Sequence, residues 1–195
     1  MKPYQILQKI LPVPMVLIAQ HLIAQGNLVV NSGFDADAAG WTLLNGSAYA
    51  GPLKGNPGGW VDLDSLSPSL SDPTITQLIN GLILGQTYMV SGDFEKTINR
   101  SGGTISDLSF GVAMDGVFLY ETSDPGDFNW HSFSFSYTAT SSSAVLSLSS
   151  QLNGTEISYG IDNISMYLVP EPSVMSLLAF ASGAFAYVYQ WRRRF

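Results

Sequence analysis

Cysteine is absent from this 195-residue chain. No disulfide can staple the fold, and neither a thiolate metal site nor a cysteine nucleophile can exist. Basic side chains are almost as scarce in the middle of the chain. Residues 27–169 hold 14 acidic residues against Lys54, Lys96 and Arg100, a net charge of about −11. Phosphate backbones attract clusters of Lys and Arg, so nucleic acid is excluded as a partner. Such acidity suits a soluble surface or an affinity for divalent cations. Histidine is nearly missing too: only His21 and His131 occur. A single histidine with no companion makes a poor metal centre, and no Gly-x-Ser-x-Gly elbow is present to supply a serine nucleophile. Long helical periodicity is also lacking between the two ends.

The ends themselves are different in character. Lys2 and Lys9 precede a mostly apolar stretch, residues 10–24, and Ala24-Gln25-Gly26 offers a small-x-small cleavage site. That layout predicts a secretory signal peptide over residues 1–26 and a mature start at Asn27; the stretch is too short and too interrupted for a comfortable membrane span. At the other end, Val169-Pro170-Glu171-Pro172-Ser173 is followed by the uncharged apolar run 174–191 and then by Arg192-Arg193-Arg194. As a helix that run would be about 27 Å long, close to the roughly 30 Å of a hydrocarbon core. The three arginines would stay cytoplasmic, which places the rest outside. The Pro-Glu-Pro triplet, the short span and the basic terminus together resemble the PEP-CTERM sorting signal of Gram-negative bacteria. The resemblance covers residues 169–195. It implies an exosortase as processing partner, transient inner-membrane association and a destination at the cell surface or outside. A plain single-span anchor is the alternative.

Between these ends lies one domain, residues 27–168. Alternation with period two predicts strands at 27–31, 40–44, 60–64, 74–79, 87–95, 105–114, 117–121, 130–137, 144–149 and 156–167. Segments 65–73 and 98–103 read as loops, and Asp115-Gly116 between apolar runs signals a tight hairpin. Ten short strands in one domain predict an all-β, antiparallel two-sheet sandwich.

The order of motifs carries a second resemblance. Asn27-Leu28-Val29-Val30-Asn31-Ser32-Gly33-Phe34-Asp35 opens the domain. Gly40-Trp41, Trp60-Val61-Asp62-Leu63-Asp64 and Gly85-Gln86-Thr87-Tyr88 follow, and Gly160-Ile161-Asp162-Asn163-Ile164-Ser165 closes it. The set resembles galactose-binding-like jelly-roll domains, nearest to the exported DUF642-like, choice-of-anchor C group. The opening departs from that pattern in its Ser32-Gly33 order and in Asp35 standing where Glu is usual. The resemblance implies a structural Ca²⁺ held by Asp35 and Asp162 with backbone carbonyls, a hard oxygen set that suits this ion. The alternative gives Asp35 a turn and Asp162 a backbone hydrogen bond.

Three further groups stand out. Asp62 and Asp64 share one face of a strand, which a glycosidase could use, yet no helper residue accompanies them and solvated carboxylates are the simpler account. His131 reads as structural. Trp41, Phe94, Phe133, Phe135 and Tyr137 fall on apolar faces and read as core. Trp60 lies out of phase with Val61 and Leu63 and is expected to face solvent. Phe118, Tyr120, Phe128 and Trp130 bracket a loop with Asp124 and Asp127. Trp60, Tyr120, Asp124 and Asp127 are therefore the candidate sugar-binding residues, with edge packing of the sandwich as the alternative. A non-catalytic carbohydrate-binding protein of a matrix or cell-wall polysaccharide leads. A purely structural glycosylated matrix protein and a glycan hydrolase compete with it.

Overall fold

The computed structural model describes residues 25–64, 72–99, 109–123, 125–151 and 157–170. The signal segment and the sorting tail lie almost wholly outside these. Among the described residues no helix is long and apolar enough to cross a membrane.

Ten strands run in chain order: β1 Thr42–Leu44, β2 Ala48–Gly55, β3 Gly58–Leu63, β4 Thr74–Asn80, β5 Thr87–Asn99, β6 Ser109–Met114, β7 Val117–Ser123, β8 His131–Thr138, β9 Ser143–Gln151 and β10 Ile157–Leu168. They form two five-stranded sheets, β1-β4-β9-β6-β7 and β2-β3-β10-β5-β8. All pairings are antiparallel. The result is an all-β jelly-roll sandwich, as the alternating pattern predicts. One face of each strand supplies the core. Val61 and Leu63 of β3, Tyr88, Val90 and Phe94 of β5, Phe133 of β8 and Tyr159 and Ile161 of β10 meet Ile75, Ile79, Phe110, Val112, Leu146 and Leu148 of the other sheet. Phe94 stacks on Phe110 with centroids 4.7 Å apart. Trp41 and Tyr137 are buried with them, and Phe135 packs partly buried against the cluster.

Local chemistry explains the turns. Asp115 and Gly116 have φ of 50° and 79°, the two left-handed residues of a hairpin turn that matches strand twist. Val145 N–H donates to Asp115 Oδ1 at 2.8 Å, so the turn is tied to β9 as well.

Three expectations change. No strand is expected between 44 and 60, yet β2 lies at Ala48–Gly55 and includes Pro52. Proline is tolerated on a sheet edge, and β2 is an edge strand whose register with β3 shifts twice. Conversely, residues 27–31 form no ladder strand. The Asn27 side chain stands in for part of the missing ladder. Its Oδ1 accepts from Met166 N at 2.9 Å, and its Nδ2 donates to Ile164 O at 3.3 Å. Leu28 N–H adds a bond to Met166 O, and Asn31 turns away with φ of 51°. The first segment still lies beside the last strand, as the jelly-roll resemblance implies. Strand β5 also runs on to Asn99, past the expected end at 95.

Candidate functional site

The outward face of the β2-β3-β10-β5-β8 sheet gathers the polar chemistry of the domain. At its centre the β2–β3 hairpin folds down onto a bulge in β10. The bulge lies between Asp162 and Ser165, with Asn163 at φ 54°. The hairpin carries a cis Asn56–Pro57 bond and the glycines 55, 58 and 59. Gly59 is required by close approach: a Cβ there would stand 1.8 Å from Phe34 O. Gly58 has φ of 102°, and a Cβ on it would meet Asp35 Oδ1 at 2.5 Å. These contacts place the Asp35 carboxylate against the hairpin tip.

Asp162 is fully buried beneath the same tip. Its Oδ2 accepts from Asn56 N at 2.5 Å and its Oδ1 from Asn163 N at 2.7 Å. Asn163 Nδ2 donates to Asn56 O and, at 3.0 Å, to Asp93 Oδ2. Asn56 Nδ2 reaches the same Asp93 oxygen at 3.1 Å, and Ser132 Oγ donates to Asp93 Oδ1 at 2.7 Å. Burial pushes the Asp162 carboxyl up to about 6; the two backbone N–H bonds pull it down, and the charges of Asp93 and Asp35 raise it further. Among the described residues both charges acting on it, those of Asp93 and Asp35, are negative. Each Asp162 oxygen has one N–H partner and keeps room for a second, since an ionised carboxylate offers about four lone-pair sites.

The fit to a cation follows from that donor set. Among the described residues no group of three acidic or histidine side chains converges in the manner of a metal cage. What the hairpin does bring together is the carboxylates of Asp35 and Asp162 and the backbone carbonyls of Gly58 and Gly59, all hard oxygens. That chemistry fits Ca²⁺ and does not fit zinc or copper, which take nitrogen or sulfur.

Further along the same face, Trp60 of β3 lies over Gly160 of β10. A Cβ on Gly160 would stand 2.7 Å from Cε3 and 2.8 Å from Cζ3 of the indole. Trp60 does lie out of phase with Val61 and Leu63, yet it is only 6% exposed, so the expectation of a solvent-facing ring is corrected. The absent side chain at Gly160 lets the ring settle onto the sheet. Its Nε1 is buried without a hydrogen-bond partner. Beside it, burial raises the Glu95 carboxyl, with Lys54 lowering it and Asp62 raising it. Thr97 Oγ1 donates to Asp62 Oδ1 at 3.3 Å and meets the Ser158 hydroxyl. The result is a cluster of hydroxyls and carboxylates beside a buried indole.

The third set sits at the end of the sheet where β8 begins. Asp127 Oδ1 and His131 Nε2 are 2.7 Å apart, and Asn129 N donates to the same oxygen. The His131 hydrogen bond, aided by Asn129, holds the Asp127 carboxyl down at about 2. His131 is structural in this sense: it fixes the loop, and its ring packs 5.8 Å from Phe94. Phe128 is exposed, with Lys96 Nζ 4.7 Å from its ring centroid. Tyr120 turns inward, 5.4 Å from Phe133 and 6.3 Å from Phe94, and belongs to the edge of the core. Asp124 lies outside the described residues, as do Glu171, Pro172, Ser173, Arg192, Arg193 and Arg194. Val169 closes the sheet by donating its N–H to Thr87 O, and Pro170 is exposed.

The structure thus brings Asp35 and Asp162 to one hairpin, and separates Trp60 from Tyr120 and Asp127. Sequence reasoning missed Asp93, Glu95, Asn56 and Asn163. The run Asn56-Pro57-Gly58-Gly59 was the one local signal, since turn residues at that density mark a tight reversal of the chain.

No family model matches the chain, and none of the curated proteins matches it. Solved structures do. A family 16 carbohydrate-binding module superposes with a TM-score of 0.54 at 14% identity, covering 72% of this chain and 99% of that one. The shared fold is a jelly-roll sandwich. The module TmCBM61, solved with β-1,4-galactotriose, gives 0.52 at 12% identity over 74% of this chain and 100% of its own. The fold is not confined to binding proteins. The enzymatically active domain of tailspike protein 4 from bacteriophage CBA120 also gives 0.52 at 12% identity, and there the match spans 73% of this chain but only 21% of the tailspike chain.

Proposed function

We propose that this chain is an exported surface protein whose sandwich binds a neutral polysaccharide without cleaving it. The terminal segments serve as addresses: residues 1–26 for export, and residues 169–195 as a tail that an exosortase processes. The observation that carries the binding reading is the polar cluster beside Trp60. It combines a buried indole N–H without a partner, a Glu95 carboxyl raised by burial, and the hydroxyls of half-buried Thr97 and buried Ser158. Sugars present the matching alternation of donors, acceptors and apolar C–H faces, and the superposed carbohydrate-binding modules support the same reading at the level of the fold. A structural Ca²⁺ at Asp35 and Asp162 would pin the hairpin that borders this face; its contribution is to neutralise the buried charge and hold the tip in place.

Catalysis has a weaker footing. A glycosidase needs one carboxyl as acid and another as base or nucleophile across a reacting bond. Glu95 has its carboxyl raised by burial beside Asp62, but Asp62 already accepts a hydrogen bond from Thr97.

Isothermal titration with β-1,4-linked galacto- and xylo-oligosaccharides, with tryptophan fluorescence followed in parallel, tests the binding reading. A single shallow site should bind in the range of millimolar to tens of micromolar. Glu95→Gln should weaken binding while the fold stays intact. Trp60→Ala should cost about 3–5 kcal/mol of stability, because the ring is packed. Wild-type protein that binds neither series, nor any other neutral glycan on an array, overturns the reading. Release of reducing sugar that depends on Asp62 or Glu95 would make the protein an enzyme.

A further inference from the structure

We propose that one pole of the sandwich rests on the lipid surface while the chain is still attached to the membrane. The proposal builds on the reading of residues 174–191 as a membrane span.

Backbone and side-chain bonds define this pole. The loop between β4 and β5 meets the loop between β8 and β9 through Leu82 N to Ser142 O, Gly85 N to Ala139 O and Ala139 N to Gln86 O. The Asp115-Gly116 turn joins them through Asp115 N to Val145 O. Both described ends of the chain leave from the same place: Gln25 Nε2 donates to Gly81 O, and Val169 N–H donates to Thr87 O.

The composition of this pole is unlike the rest of the domain. Ile83, Leu84 and Val117 are 53%, 69% and 62% exposed. A groove of about 330 Å³ opens beside Val117, its apolar wall made by Met114, Val117, Leu119 and Tyr137 and its polar wall by Asp115, Ser136, Thr138 and Thr140. In residues 80–87, 115–117, 138–145 and 168–170 the only charged side chain is Asp115. Its carboxylate is already bonded to Val145 N and Tyr137 OH. The domain's acidic charge is carried elsewhere, on Asp35, Asp93, Glu95, Asp127 and their neighbours, so an anionic headgroup layer meets little repulsion here.

Chain length then fixes the distance. Only Glu171, Pro172 and Ser173 separate Pro170 from the apolar run that begins at Val174. Four extended steps reach at most about 14 Å. The headgroup layer takes up roughly 6 Å of that. At most about 8 Å then separates the pole from the headgroup surface, and exposed Ile83, Leu84 and Val117 are held within reach of the boundary where apolar side chains are stabilised by burial. The opposite pole, with Asp127 and Phe128, is held away by the length of β8, His131–Thr138, about 26 Å. The polar sheet face stands upright between them, open to polymer from the side.

The cysteine-free chain makes the test direct. Leu84→Cys and, at the far pole, Asn129→Cys are each labelled with an environment-sensitive fluorophore in the full-length chain. Each is reconstituted into phosphatidylcholine vesicles with and without lipids that carry a nitroxide quencher near the headgroup. The expected result is a blue shift and loss of emission at position 84, with position 129 unchanged. Ile83→Asp should reduce the quenching at 84 while the chain remains resistant to alkaline extraction. If the chain resists extraction and both labels stay equally exposed to water, the span stands and the apposed pole is wrong. If alkaline carbonate extracts the chain, the span fails and the proposal falls with it.

Discussion

Replacing Asp162 by asparagine isolates the electrostatics of the hairpin. The native carboxyl titrates at about 6, against an ordinary value of 3.8. Burial is the leading cause, and Asp93 and Asp35 add to it. A raised acid pKa means that the folded state binds the proton more tightly than the unfolded chain does. The stabilisation is thus fully present below 3.8 and is lost as pH rises through about 6. Over that window the loss is about 2–3 kcal/mol. Asparagine removes the titration, at the cost of setting an amide N–H₂ against one of the two backbone donors, Asn56 N or Asn163 N. The absolute stability of the variant therefore combines two opposing effects, and the pH slope is the clean readout. Urea unfolding in EDTA between about pH 4 and 7, a range that brackets the shifted carboxyl, should show wild-type stability falling with pH relative to the variant. Glu95 is raised too and contributes a slope of the same sign, so the comparison is the difference between the two proteins. Parallel curves would refute the assignment. Added Ca²⁺ should restore stability to the wild type near neutral pH, by about 2.7 kcal/mol at roughly a hundred times its dissociation constant, and should leave Asp162→Asn unmoved. No response in the wild type would remove the cation and leave Asp162 as a buried acid that caps the hairpin.

Gly59→Ala should destabilise the domain by about 3 kcal/mol or more, read by thermal or urea unfolding, because the new methyl has Phe34 O at 1.8 Å and Tyr49 Cε2 at 3.1 Å. An unchanged melting temperature would mean that the first segment is not packed under the hairpin. The Asp127 carboxyl, held at about 2, should return toward 3.8 in His131→Asn when followed by NMR. Its stabilising contribution is present above 3.8 and is lost only as pH falls through about 2.

The sandwich was legible because burial on one face of a strand writes a period of two into the sequence. Trp130-His131-Ser132-Phe133-Ser134-Phe135-Ser136-Tyr137 shows it most clearly, and β8 covers nearly that stretch. Strand β2 was hidden because an edge strand answers to fewer constraints: it pairs on one side only, so Pro52 and the glycines do no harm there. The segment 27–31 misled in the opposite way. Its Leu-Val-Val core looks like a strand, yet Asn27 and Asn31 bend it off the ladder, and a side chain serves where a backbone would.

The site was legible only where a motif named it. Asp35 and Asp162 came from resemblance, and the hairpin that joins them could not be read from either residue. Trp60 shows the limit of phase arguments. Alternation correctly put the indole on the face opposite Val61 and Leu63, but that face is not the same thing as solvent. A glycine one strand away, Gly160, opens a slot that takes the ring, and no pattern within β3 encodes that slot. Asp93 was passed over for a related reason. Within β5 it is one polar residue in an ordinary alternation, and it gains meaning only when Asn56, Asn163 and Ser132 arrive from three other strands or turns. Long-range polar networks of this kind leave almost no local trace, because each member obeys the pleat and the chemistry resides in the register between strands. The pole that gathers both chain ends is a further case. Ile83 and Leu84 fall between the expected strands 74–79 and 87–95, and Val117 reads as the start of a strand. Only the pairing of Gly85 with Ala139 and of Val169 with Thr87 places them on one surface, a few residues from the apolar tail.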